Sequence, residues 1–135
     1  MLAGADTGLI GYPDVRLRRS CRPVDPGEPD LEALTARMRE AMRRHRGVGL
    51  AAPQVGVALR LVVTDAPGYG KGRGRLTLLN PRVRHLSGDR SPFREGCLSF
   101  PGIYRDILRP RSAVIDYQDL RGERHRLEDE GLLLI

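Results

Sequence analysis

Only one stretch of this chain repeats its apolar residues with a helical period. Leu31, Leu34, Met38, Ala41, Met42 and His45 recur at three- and four-residue spacing, which places them on one helical face. Asp30 stands where an N-cap is expected, Glu32 falls in the first turn and Gly47 follows the last. The pattern predicts an amphipathic helix over residues 31–46, with Arg37, Arg39, Glu40, Arg43 and Arg44 on its outer face. Ahead of it, Pro13, Pro23, Pro26, Gly27 and Pro29 make residues 11–29 an extended arm with turns. Behind it, short β-rich runs dominate: Leu59–Thr64, Leu76–Leu79, Val83–Ser87, Ala113–Tyr117 and Glu123–Glu128. Residues 66–75 read as a hairpin loop, Asn80-Pro81 as a strand end, and Gly88-Asp89 and 119–122 as turns. One helix followed by many short, turn-linked strands predicts an α+β fold with antiparallel or mixed short-stranded sheets.

A length of 135 residues suits one domain, so residues 1–135 are expected to form a single unit. Hydrophobic residues are 40% and charged residues 30%, which excludes wholesale disorder. Aromatics are 4% with no Trp, so a base-stacking platform for single-stranded nucleic acid is not expected. No apolar run approaches the length of a membrane span, and residues 1–10 show no secretory signal. No membrane association and a cytoplasmic location follow as expectations. The net charge is +6, but Lys71 is the only lysine among 23 basic residues, and the arginines are scattered. That skew fits a GC-rich coding composition better than a phosphate-binding patch.

Two segments carry chemistry. In Gly47-Val48-Gly49-Leu50-Ala51-Ala52-Pro53-Gln54, small residues surround one side-chain amide. Such a backbone can approach a ligand closely and take an added strand, with Gln54 donating to a developing oxyanion. It can equally be a helix C-cap followed by a tight loop. In Glu95-Gly96-Cys97-Leu98-Ser99, the cysteine can be a nucleophile, a metal ligand or a buried thiol on a strand. A nucleophile needs a base, and His45, His85 and His125 stand at no spacing that identifies one. Cys21, the other cysteine, reads as a small buried hydrophobe.

Taken together, the two segments resemble the peptide deformylase family, whose motifs are G-x-G-x-A-A-x-Q, E-G-C-x-S and H-E-x-x-H. The first two are complete here and in order. Pro13–Arg18, Arg22-Pro23-Val24, Asn80-Pro81, Ser99–Gly102, Arg109-Pro110 and Glu130–Leu133 extend the match over nearly the whole chain. The resemblance implies a metal-dependent hydrolase that removes the formyl group from N-formylmethionyl peptides during protein biosynthesis. It implies a divalent metal, Fe²⁺ in the cell, held by one Cys and two His, with a metal-bound water that attacks the formyl carbonyl and a Glu that moves its proton. Cys97 matches the metal ligand, and Gln54 with the backbone N–H of Leu98 matches the oxyanion donors. Val48, Gly49 and Leu50 match the substrate-pairing strand and methionine pocket; Glu95 and Gly96 match the supporting loop beside the substrate.

No H-E-x-x-H occurs in the 135 residues, and no histidine has a second at i+4. By alignment through Gly131, that motif falls shortly beyond Ile135. The sequence therefore reads as a C-terminally truncated member, without two His ligands and the catalytic Glu. These residues alone are expected not to bind the metal stably or to turn over substrate as the family does. The alternative is a non-catalytic module for peptides or the ribosome, or a nonfunctional remnant. The run Asp129–Ile135 looks like the opening of a helix, and its leucines are expected to drive self-association through an apolar patch.

Overall fold

The computed structural model describes residues 8–65 and 74–129. The predicted helix is present as α1, Leu31–Arg44. It buries Leu31, Leu34, Thr35, Met38, Ala41 and Met42, the stripe expected from spacing. Its two ends differ from expectation. Asp30 is the N-cap residue but has left-handed backbone (φ 65°), and its side chain makes no capping hydrogen bond. At the other end the left-handed residue is Arg46 (φ 57°), not Gly47. The Gly47 N–H reaches back to the Met42 carbonyl (2.8 Å) and the Arg46 N–H to the Arg43 carbonyl (3.1 Å), a Schellman closure. Gly47 is required for a different reason: a Cβ there would lie 2.5 Å from Leu98 Cδ1.

A five-stranded antiparallel sheet runs in the order β1-β2-β3-β6-β7. Its strands are β1 Gly49–Ala51, β2 Leu61–Asp65, β3 Arg75–Leu86, β6 Ala113–Gln118 and β7 Arg124–Asp129. Strands β4 Arg90–Cys97 and β5 Phe100–Pro110 form a separate two-stranded hairpin. The α1 stripe packs with Leu50, Leu61, Val63 and Leu79 into the main core, while Leu78, Ala113 and Ile115 form a smaller cluster. This is the α+β class expected. Arg39 is not on an outer face: its guanidinium donates to the Thr64 and Leu76 carbonyls (both 2.8 Å) and to Thr77 Oγ1 (2.9 Å), pinning the helix to β2 and β3. Cys21 is half-buried rather than buried.

The arm before α1 is extended apart from one short 3-10 turn, Val15–Arg18. Asp14 opens that turn by accepting from the Arg16 N–H, and the Arg16 guanidinium holds the Asp14 carboxyl down at about 2. Asn80-Pro81 does not end a strand. β3 runs straight through it, absorbing the irregularity as a bulge between Leu79 and Arg82, with Asn80 at φ 52°. Asn80 then ties the arm to the sheet: its Oδ1 accepts from the Val24 N–H (2.7 Å) and its Nδ2 donates to the Val24 carbonyl (2.8 Å). Asn80→Ala strands both polar groups of the buried Val24 and puts alanine at positive φ. It is expected to cost about 2 kcal/mol in urea denaturation; an unchanged midpoint would contradict this role.

The β4–β5 hairpin was not foreseen, because its composition hides it: in β4 only Glu95 is buried, so no apolar alternation marks the strand. The expected loop at 66–75 and helix start at 129–135 fall largely on residues outside those described.

Candidate functional site

The two chemistry-bearing segments meet through backbone geometry. After α1 closes, β1 pairs antiparallel with β2 (Gly49↔Thr64, Leu50↔Val63, Ala51↔Val62). The Val48 carbonyl accepts from the Asp65 N–H (2.9 Å). Antiparallel ladders alternate, so Val48 and Leu50 bond to β2 and the N–H and C=O of Gly49 face away from it. β1 is the last strand of the sheet among the described residues, and Gly49 is exposed. The chain thus offers an open edge at Gly49. The Val48 side chain beside it is exposed, whereas Leu50 has its side chain in the core and its backbone bonded to β2.

A 3-10 turn, Ala52–Val55, follows β1 and carries Gln54. The Gln54 Oε1 accepts from the Ala51 N–H (2.9 Å). Its Nε2 then faces the β4–β5 turn, donating to Ser99 Oγ (3.1 Å) and lying 3.7 Å from Cys97 Sγ. Cys97 ends β4 and is exposed. Leu98 and Ser99 form the turn to β5, with the Leu98 side chain half-buried against the main core. Gly96 is tight for another reason: a Cβ there would lie 2.7 Å from the Tyr104 ring.

Glu95 sits behind this turn. Its two oxygens accept from Arg109 Nε (2.7 Å) and Nη2 (2.8 Å). The Arg109 guanidinium holds the Glu95 carboxyl below the usual range, against the opposing effect of burial. With both oxygens engaged by Arg109, Glu95 anchors the hairpin. Arg109 and Ser99 were not among the predicted site residues. The Arg109-Pro110 pair was a visible signal for the first, and the closing serine of Glu95-Gly96-Cys97-Leu98-Ser99 for the second, although its partners are far away in sequence.

A thiolate-bound divalent metal needs about three protein ligands and an open position. Around Cys97 the described residues supply one. The single His/Asp/Glu cluster among them is Asp119, Glu123 and His125 at the β6–β7 turn, which does not include Cys97. His125 is committed to Asp119 Oδ2 (2.8 Å) and stacks on Tyr117. The donor set described here does not complete the metal site that the sequence motifs imply.

Both segments lie within a match to a known family. The polypeptide deformylase family model matches residues 7–134. The chain belongs to the peptide deformylase family. Peptide deformylase of Rhizobium meliloti is 40% identical over 125 residues, covering 93% of this chain and 72% of that protein. Peptide deformylase 1B of Arabidopsis thaliana, chloroplastic/mitochondrial, is 41% identical over 117 residues, covering 86% of this chain and 42% of that protein. A crystal structure of a plant peptide deformylase 1B superposes with TM-score 0.88 at 36% identity, covering 99% of this chain and 73% of that one. The enzyme from Synechococcus elongatus, solved with actinonin, gives TM-score 0.86 at 35% identity, over 98% of this chain and 70% of that one. The chain therefore spans less than half of the Arabidopsis protein and about 70% of each of these crystal chains. Among the described residues, no helix is long and apolar enough to cross a membrane.

Proposed function

We propose that this chain serves the deformylase reaction, hydrolysis of the formyl group from nascent N-formylmethionyl peptides. The observation that carries the proposal is the convergence of the Gly49 edge, Gln54 Nε2 and Cys97 on one exposed surface. A peptide lying along β1 would pair with the Gly49 N–H and C=O, as an added strand does. Val48, exposed beside that edge, would line the pocket for the methionine side chain. The formyl carbonyl would then meet Gln54 Nε2 and the Leu98 backbone N–H, two donors suited to a developing oxyanion. Glu95 and Gly96 hold the turn that carries Cys97 and Leu98.

Cys97 is the residue that would ligate a divalent metal, Fe²⁺ in this reading, and the ligands present do not complete its site. The 135-residue polypeptide alone is accordingly expected to take up far less than one Fe²⁺ or Ni²⁺ per chain under anaerobic loading, measured by elemental mass spectrometry. Near-stoichiometric metal, lost in Cys97→Ala, would contradict this. The same proposal places the chain in the cytoplasm near the ribosome exit, where its substrates emerge. The apolar residues Leu132–Ile135, with exposed Val83 and Leu86, support self-association of this polypeptide.

The function is tested by titrating the chain with N-formylmethionyl tripeptide and with the same peptide unformylated. Tighter binding of the formylated peptide supports the proposal, and equal or absent binding contradicts it.

A further inference from the structure

Resting on that functional reading, we propose that Ser99 is a positioning residue for Gln54: its hydroxyl, committed to the Ile10 carbonyl, fixes which end of the Gln54 amide faces the reacting carbonyl. A glutamine amide has two nearly isosteric ends, one donating and one accepting, and an oxyanion donor is useful only with the nitrogen forward. Ser99 is buried at 5% exposure, so its single hydroxyl proton cannot turn to water. It donates to the Ile10 carbonyl at 2.9 Å. With that proton spent, Ser99 Oγ can only accept, and what it accepts is a Gln54 Nε2 proton at 3.1 Å. A flipped amide would set Oε1 against an oxygen with no proton to give, and Nε2 against the Ala51 N–H, donor against donor. One Nε2 proton is thus anchored on Ser99, and the other points toward Cys97 Sγ at 3.7 Å, a weak acceptor.

The Ile10 carbonyl is itself held in place. The Ile10 N–H donates to the Gln54 backbone carbonyl (2.8 Å) and the Tyr12 N–H to the Ser99 carbonyl (2.9 Å). The Tyr12 ring stacks on Phe100 at 5.0 Å, with the Arg18 guanidinium 5.9 Å from the Tyr12 centroid. Residues 10–12 of the arm therefore bridge the glutamine turn and the cysteine turn, and Ser99 converts that bridge into a fixed amide polarity.

The test reads two quantities on the full 135-residue chain. The first is hydrogen exchange of side-chain amides by NMR, which is tractable because the sequence holds only Gln54, Gln118 and Asn80 as amide side chains. In the unsubstituted chain the Gln54 amide is expected to exchange about tenfold slower than a free amide, and Ser99→Ala should abolish that protection while Gln118 and Asn80 keep theirs. The second is the ratio of affinities for formylated and unformylated tripeptide. Ser99→Ala is expected to lower it about fivefold with the unformylated affinity unchanged, and Ser99→Thr, which keeps the hydroxyl, should restore it. A merely structural role would weaken both peptides together. Gln54 exchange at the free-amide rate in the unsubstituted chain, or unaltered by Ser99→Ala, overturns the proposal even if one variant fails to fold. Failure of the functional reading is separate: the unsubstituted chain then shows no formyl preference, while the exchange data still decide the role of Ser99.

Discussion

Replacing Arg109 by alanine is expected to destabilise the chain by about 3 kcal/mol, because it leaves the Glu95 carboxylate buried without its partner. The Glu95 side chain is only 8% exposed, so water cannot take over the lost hydrogen bonds, whereas the 38% exposure of Arg109 keeps the figure at the low end. The pair also sets a pH dependence. The Glu95 carboxyl is depressed below its ordinary 4.5, first by hydrogen bonds from Arg109 and with burial opposing. A depressed folded-state value means the unfolded chain binds the proton more readily, so the stabilisation is complete above about 4.5 and is lost as pH falls through the folded value. In Arg109→Ala the opposing burial acts alone and pushes the carboxyl above its unfolded value, so the folded chain then binds the proton more readily and the variant should regain stability, relative to the parent, as pH falls. Urea denaturation between pH 3 and 7 reads both effects. A variant with the parent's midpoint and pH profile would show that the pair contributes nothing.

Gly49→Pro is expected to weaken N-formylmethionyl peptide binding about tenfold or more while leaving the fold nearly intact. The Gly49 N–H points away from β2, so proline removes no bond from the β1–β2 ladder. It does remove the donor at the open edge and sets a ring where the peptide backbone would lie, costing one hydrogen bond and the close approach. Isothermal titration with the tripeptide and a thermal melt separate the two effects. Unchanged affinity would remove β1 from the binding surface; a collapse in Tm would mean that Gly49 is structural.

How much of this was legible in the sequence depended on where burial falls. α1 was readable because one stripe of it is buried and the rest is not. Arg39 was misplaced on the outer face because periodicity locates its Cα but not the reach of its guanidinium to Thr64 and Leu76 across the sheet. The β4–β5 hairpin left no alternating signal, since both its faces are largely exposed. Asn80-Pro81 looked like a terminator, yet Asn tolerates left-handed backbone, and the bulge carries β3 past it. At the site, Gly47–Gln54 and Glu95–Ser99 stood out because small residues around one polar group are unusual. That they meet was implied by the family resemblance alone; the contacts of Ser99 that hold them together were not readable, because Gln54 and Ser99 are 45 residues apart and Ser99 bonds a carbonyl 89 residues away. Motifs mark the chemistry locally, while the groups that aim it arrive from distant segments.

The central claim is that one surface, built from the β1 edge and the β4–β5 turn, receives a formylated peptide end. Amide chemical-shift mapping with N-formylmethionyl tripeptide tests it most directly. The account predicts saturable shifts confined to Val48, Gly49, Leu50, Cys97, Leu98 and the Gln54 side chain, with little change at the β6–β7 turn. Shifts centred elsewhere, such as Asp119–His125, or none at saturating peptide, would contradict it.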